Sequence, residues 1–125
     1  MALKGIDEFV SSYIEAMLWA ERPIDENGNE GEAFEDTHEI EDIAPDSMEE
    51  IRSDCEGFLR ENARFIRGEF ERAGMDFYLT RNRHGAGFWD GGWSAGIGRR
   101  LTDSAHVYGT QGLDLWSDGK LHIHG

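Results

Sequence analysis

The chain has 125 residues and a formal charge of −14, and its 38% hydrophobic content, with seven Phe and four Trp, is enough for one domain with its own core. A single cysteine, Cys55, excludes an internal disulfide, and no apolar run approaches the roughly 20 residues of a membrane-spanning helix. The charge is local: residues 1–50 carry 16 Asp and Glu against Lys4 and Arg22, whereas residues 51–125 balance ten acids with ten bases. Such a field repels nucleic acid and anionic membranes and steers basic partners inward.

The start of the chain, through Glu8, lacks the basic-then-apolar layout of a signal peptide, so an intracellular, cytoplasmic protein is expected. Residues 5–20 place Ile6, Phe9, Val10, Tyr13, Ile14, Met17 and Leu18 at helical spacing, and Pro23 and Asn27-Gly28 end that helix. Residues 22–45 show no sustained period, and their acid-rich composition leans toward a long, mobile connection, with Ile40 and Ile43 as candidate pins at its far end. A second helix is expected from Ser47, which with Glu50 matches a capping box. Its apolar stripe is Met48, Ile51, Cys55, Phe58, Leu59 and Ile66; Gly68 marks a candidate break and Gly74 a natural stop.

Beyond Gly74 the pattern reads as sheet. Phe77–Thr80 alternates as a strand, Gly87–Asp90 returns beside it, residues 95–108 fit a short helix, and Leu113/Leu115 with Leu121/Ile123 flank an Asp118-Gly119 turn. The expected architecture is a single α+β domain of order α-α-β-β-α-β-β, with helices packed on one face of a mostly antiparallel sheet.

Two segments stand out as candidate sites. Glu30, Glu32, Glu35, Asp36, Glu39, Glu41 and Asp42 offer a dense row of carboxylates to a basic partner, and carboxylates held at suitable spacing can stand in for nucleic acid phosphates. Alternatively, the hairpin expected over Arg81–Asp90 gathers Arg81, Asn82, Arg83, His84 and Asp90 with Trp89. There the arginines would meet an anion or nucleotide and Trp89 would stack on its ring. A hydrogen-bonded His84–Asp90 pair is the nearest approach to a base and its orienter, but no nucleophile accompanies it, so no enzyme is expected. Gly85-x-Gly87 lacks the Lys-Ser/Thr of a phosphate loop. Asp25–Glu30 lacks the register of a calcium loop, and His122 with His124 gives two ligands where zinc takes three or four, so no metal or cofactor is expected.

The runs Ile43-Ala44-Pro45, Asp54–Leu59, Phe77–Asn82, His84–Asp90, Leu101-Thr102 and Asp118-Gly119-Lys120 resemble those of small proteins encoded by tailed bacteriophages and prophages. The likeness covers roughly residues 10–125, and its most specific part is the LTRN-x-HGAGFWD core. It implies a setting rather than an activity, and no catalytic residue carries over. The chain departs from the pattern in its longer, more acidic Glu26–Glu41 segment and in Arg83, where a small residue is usual. Phage accessory proteins of this size commonly inhibit or redirect a host protein. The resemblance and the charge together lead to an expected binding protein, with Phe34 and Ile40 as apolar anchors within an acidic surface. Its partner would be a basic host factor, such as a nucleic-acid-binding defence component.

Overall fold

A computed structural model describes residues 3–90 and 92–125. Four helices dominate it: α1 (Ile6–Ala20), α2 (Pro45–Ile66), α3 (Phe70–Arg81) and α4 (Ala95–His106). The only sheet among the described residues pairs β1 (Gly112–Leu115) with β2 (Leu121–His124), antiparallel, with Leu113 opposite Ile123 and Leu115 opposite Leu121. The fold is therefore mostly helical with a terminal hairpin, not a sheet covered by helices, and the expected α+β order is corrected.

The error lies between Gly68 and Asp90. Arg67 and Gly68 adopt left-handed backbone (φ 54° and 81°), so α2 ends there and α3 starts two residues later. Gly74 does not stop a helix. It sits inside α3, where a Cβ would run into the carbonyl oxygen of Phe9 and the hydroxyl of Ser12 on α1. Glycine here permits two helices to approach closely. Phe77–Thr80 continues α3 although Phe, Tyr and Thr favour strands, because Ala73, Phe77, Thr80 and Arg81 recur at helical spacing and are buried. Gly87–Asp90 forms no strand; its chain turns beneath Thr80, whose hydroxyl accepts from Phe88 N at 3.1 Å.

Helices α1 and α3 run side by side in the same direction: Gly5 abuts Phe70, Ser12 abuts Gly74, and Tyr78 donates to the Glu21 carboxylate. Across them lies α2, contributing Ile51, Cys55, Phe58, Leu59 and Ile66 to the core. An aromatic cluster fills the junction. Phe58 stacks on Phe77 at 4.2 Å, with Phe9, Tyr13, Phe88 and Tyr108 around the pair; such pairs add about 0.5–1.5 kcal/mol each beyond area burial.

The entry to α2 differs from a capping box. The helix begins at Pro45 after Ala44, and the hydroxyl of Ser47, which is buried, accepts from Ile123 N at 3.0 Å. Ala44 N donates to Leu121 O at 2.8 Å, and Ile43 bridges Leu121 in parallel. The hairpin is thus tied to the start of α2. At its bend Gly119 N donates to Trp116 O, and only Gly119 is left-handed (φ 82°), the mark of a bulged three-residue turn.

Candidate functional site

The Arg81–Asp90 segment is a helix end followed by turns. Arg83 N donates to Thr80 O at 3.1 Å and His84 N to Leu79 O at 3.0 Å, the bond pattern of a helix closed by one left-handed residue. That residue is Arg83 (φ 56°), a position at which glycine avoids a cost of about 1–2 kcal/mol. Arg83, Trp89 and Asp90 are exposed; Asp90 accepts from Gly87 N at 2.9 Å, and His84, half-buried, lies against the Tyr78 ring at 5.8 Å. No hydrogen bond joins His84 to Asp90 among the described residues.

Arg81 has a different place. It is 3% exposed and its guanidinium is engaged on every nitrogen: Nε donates to Gly109 O at 2.8 Å, one terminal nitrogen to Tyr108 O at 3.0 Å, and the other to Asp54 Oδ2 at 2.9 Å and Tyr13 OH at 3.2 Å. Tyr13 in turn donates to Gln111 Oε1 at 2.6 Å, and Asn82 joins Tyr78 O to Gln111 N. A second carboxylate, Glu21, accepts from Tyr78 OH and from Leu113 N. Burial pushes the Tyr13 phenol far up despite the Arg81 charge; burial and then the Glu21 bond do the same to Tyr78. Both remain neutral donors throughout the physiological range. The network clamps the 108–113 segment onto α1, α2 and α3, and it leaves Arg81 and Asn82 committed inside the protein rather than directed at a ligand.

The acidic segment is built the opposite way. Part of its apolar surface turns inward: Phe34 is fully buried, and Ala33, Ile43 and Ala44 are buried with it, whereas Ile24 is 66% exposed. Phe34 N donates to Glu21 O at 3.0 Å, which fixes a 3-10 turn over Phe34–Asp36; a second covers Ile40–Asp42. Asp25 closes the tip by accepting from Asn27 N and Asn29 N, both at 2.9 Å, and these bonds lower its pKa. The carboxylates point outward. Glu30, Glu32, Glu35, Asp36, Glu39 and Glu41 are exposed and Asp42 is half-buried, and none of the seven makes an ion pair among the described residues. Phe34 is therefore a core residue and not an anchor for a partner; Ile40 remains partly exposed.

Sequence reasoning missed a third feature. Between α1 and α3 lies a groove of about 490 Å³ lined by Ala16, Leu18, Trp19, Met75 and Leu79, with Glu15 and Glu35 at its rim. Trp19 is 59% and Met75 43% exposed, so large apolar surface faces solvent here. No family model, curated protein or solved structure matches the chain. The site is therefore read from its own chemistry. The signal that could have revealed the groove is the Glu71, Met75, Leu79 spacing of one helical stripe, hidden when residues 77–80 are taken as strand.

The remaining candidates are occupied locally. His122 stacks on Trp116 at 3.6 Å and contacts Asp118 at 3.0 Å, while His124 lies 3.7 Å from Asp114. No group of three or more His, Cys, Asp or Glu able to hold a metal occurs among the described residues. Cys55 is fully buried and its thiol is pushed well up by that burial, so it is no nucleophile. No described helix is long and apolar enough to cross a membrane.

Proposed function

We propose that this chain is a non-enzymatic accessory protein of the phage type, which binds a basic surface on a host protein through its acidic N-terminal half. The observation that carries the reading is the division of labour in residues 22–45: Ala33, Phe34, Ile43 and Ala44 anchor the segment, while its carboxylates, all but Asp42 exposed, make no ion pair among the described residues. Here they are displayed on short hydrogen-bonded turns, which suits the recognition of a basic groove, including one that normally receives nucleic acid phosphates. Association should be fast and salt-sensitive.

Capture from host lysate tests this, with the native chain compared against Glu30→Gln, Glu32→Gln, Glu35→Gln and Asp36→Asn combined. The expected result is a basic protein retained at low salt by the native chain and released by the combined variant. Equal retention by both would remove the acidic segment from the binding surface.

A further inference from the structure

The α1–α3 groove extends past its apolar end. Glu15 also lines a neighbouring depression of about 380 Å³ shared by Glu8, Ser11, Ser12 and Glu71. The two depressions share Glu15, and their linings follow one another along α1 and α3 as a trough of two parts. On α3 its wall is a single stripe, Glu71, Met75 and Leu79, each one turn from the next. On α1 the opposing stripe is Glu8, Ser12, Glu15 and Trp19. Trp19, Leu18 and Leu79 sit at one end and Glu8 and Glu71 at the other, roughly two to three turns away, with Met75 and Glu15 between them. Glu8, Glu15, Glu35 and Glu71 have no ion-pair partner among the described residues.

We propose that this trough is the docking site for a basic amphipathic helix of the partner protein. The helix would set apolar side chains on Trp19 and Met75, and a lysine or arginine further along, between Glu8 and Glu71. The charge pattern selects this occupant. An acidic helix would meet carboxylates at both the rim and the far end, and a second copy of this chain would bring another negatively charged half against the first. A helix with a purely apolar stripe would leave the acidic end unpaired. Helix-in-groove recognition reads anchors at spacings of three, four and seven residues, which the trough length accommodates. The inference rests on the proposed reading that the partner is basic, and it moves the short-range contacts from the acidic segment to the helices behind it.

The test uses the full chain, isotopically labelled for NMR, and three synthetic helical peptides: leucines at positions i, i+3 and i+7 with flanking lysines, the same leucines with glutamates, and lysines on an alanine background. Expected are shift changes centred on Trp19, Met75 and Leu79 with the leucine–lysine peptide alone. Trp19→Ala combined with Met75→Gln, both exposed positions whose folding is checked by circular dichroism, should weaken that peptide at least about tenfold. Glu15→Gln with Glu71→Gln should weaken it less and flatten its salt dependence. Glu30→Gln, Glu32→Gln, Glu39→Gln and Glu41→Gln together remove long-range attraction from the acidic segment, so they should weaken the leucine–lysine peptide at low salt and no longer at about 1 M salt, whereas the Trp19/Met75 loss should persist there. Weakening by the four acidic-segment changes with no change in the Trp19/Met75 variant would overturn the trough and leave the acidic-segment reading standing. Equal binding of the leucine–glutamate peptide, no binding of the leucine–lysine peptide, or a native dimer that covers Trp19 would each overturn it as well.

Discussion

Asp76 carries the least expected electrostatics in the chain. It is 8% exposed, accepts from Trp93 Nε1 at 2.7 Å, and lies near both Arg72 and Asp90. Burial raises its pKa above the ordinary carboxylate value; the Trp93 bond and Arg72 pull it back, and Asp90 pushes it further up. A raised folded-state value means that the folded chain holds the proton more tightly than the unfolded one. Its contribution to stability is then full below the ordinary carboxylate range and is lost as pH rises through the folded value. Asp76→Asn keeps an oxygen for Trp93 and removes the titration. The variant is expected to gain stability over the native chain at about pH 7, and that gain should shrink toward about pH 4. Urea melts of both proteins at the two pH values check this, and a pH-independent difference would refute it.

The helix α3 shows what was legible and what was not. The α1 stripe, the α2 stripe, the break at Gly68, the helix from residue 95 and the terminal hairpin follow from spacing and turn residues, and all are present. Gly74 was the obstacle, because a glycine that ends a helix and a glycine that admits a neighbouring helix look alike in one dimension. Once α3 is cut there, Phe77–Thr80 reads as strand, and Met75 and Leu79 cannot be seen as parts of one face. The buried role of Arg81 was equally hidden: its partners Tyr13, Asp54, Tyr108 and Gly109 are 27 to 68 residues away in sequence. The display of the seven acids was legible from composition, but the inward turn of Phe34 was not. The packing account of Gly74 has a direct check. Gly74→Ala is expected to lower stability by about 1–3 kcal/mol, since the added methyl meets Phe9 backbone, which cannot rotate away. Gly96→Ala, in α4 with open space around it, should instead gain up to about 1 kcal/mol from helix propensity. Thermal melts of the pair give opposite signs if close helix approach explains Gly74, and a neutral or stabilising Gly74→Ala would remove that explanation.

For the whole molecule, the decisive property is that the charge is segregated. The entire formal charge of −14 belongs to residues 1–50, and the one cross-helix ion pair among the described residues that relieves it at the surface, Arg52 with Asp7 at 2.9 Å, is largely exposed. Exposed pairs of this kind contribute little, so the carboxylates of the acidic segment, together with Glu8, Glu15 and Glu71, repel one another across a small surface. Folding brings them closer than they are in the extended chain, and the folded state bears that cost. Raising salt from about 10 mM to about 1 M shortens the Debye length from about 30 Å to about 3 Å and should relieve it. The melting temperature is therefore expected to rise with sodium chloride across this range. A gain of about 1 kcal/mol corresponds to roughly 4 °C at this length. Binding of a basic partner should change in the other direction, weakening over the same range. The two slopes have one origin, so they should diminish together: neutralising Glu30, Glu32, Glu35 and Asp36 is expected to flatten both. A melting temperature that falls or stays level with salt would show that the acidic half is not under mutual repulsion, and the case for an unpaired surface awaiting a basic partner would fail with it.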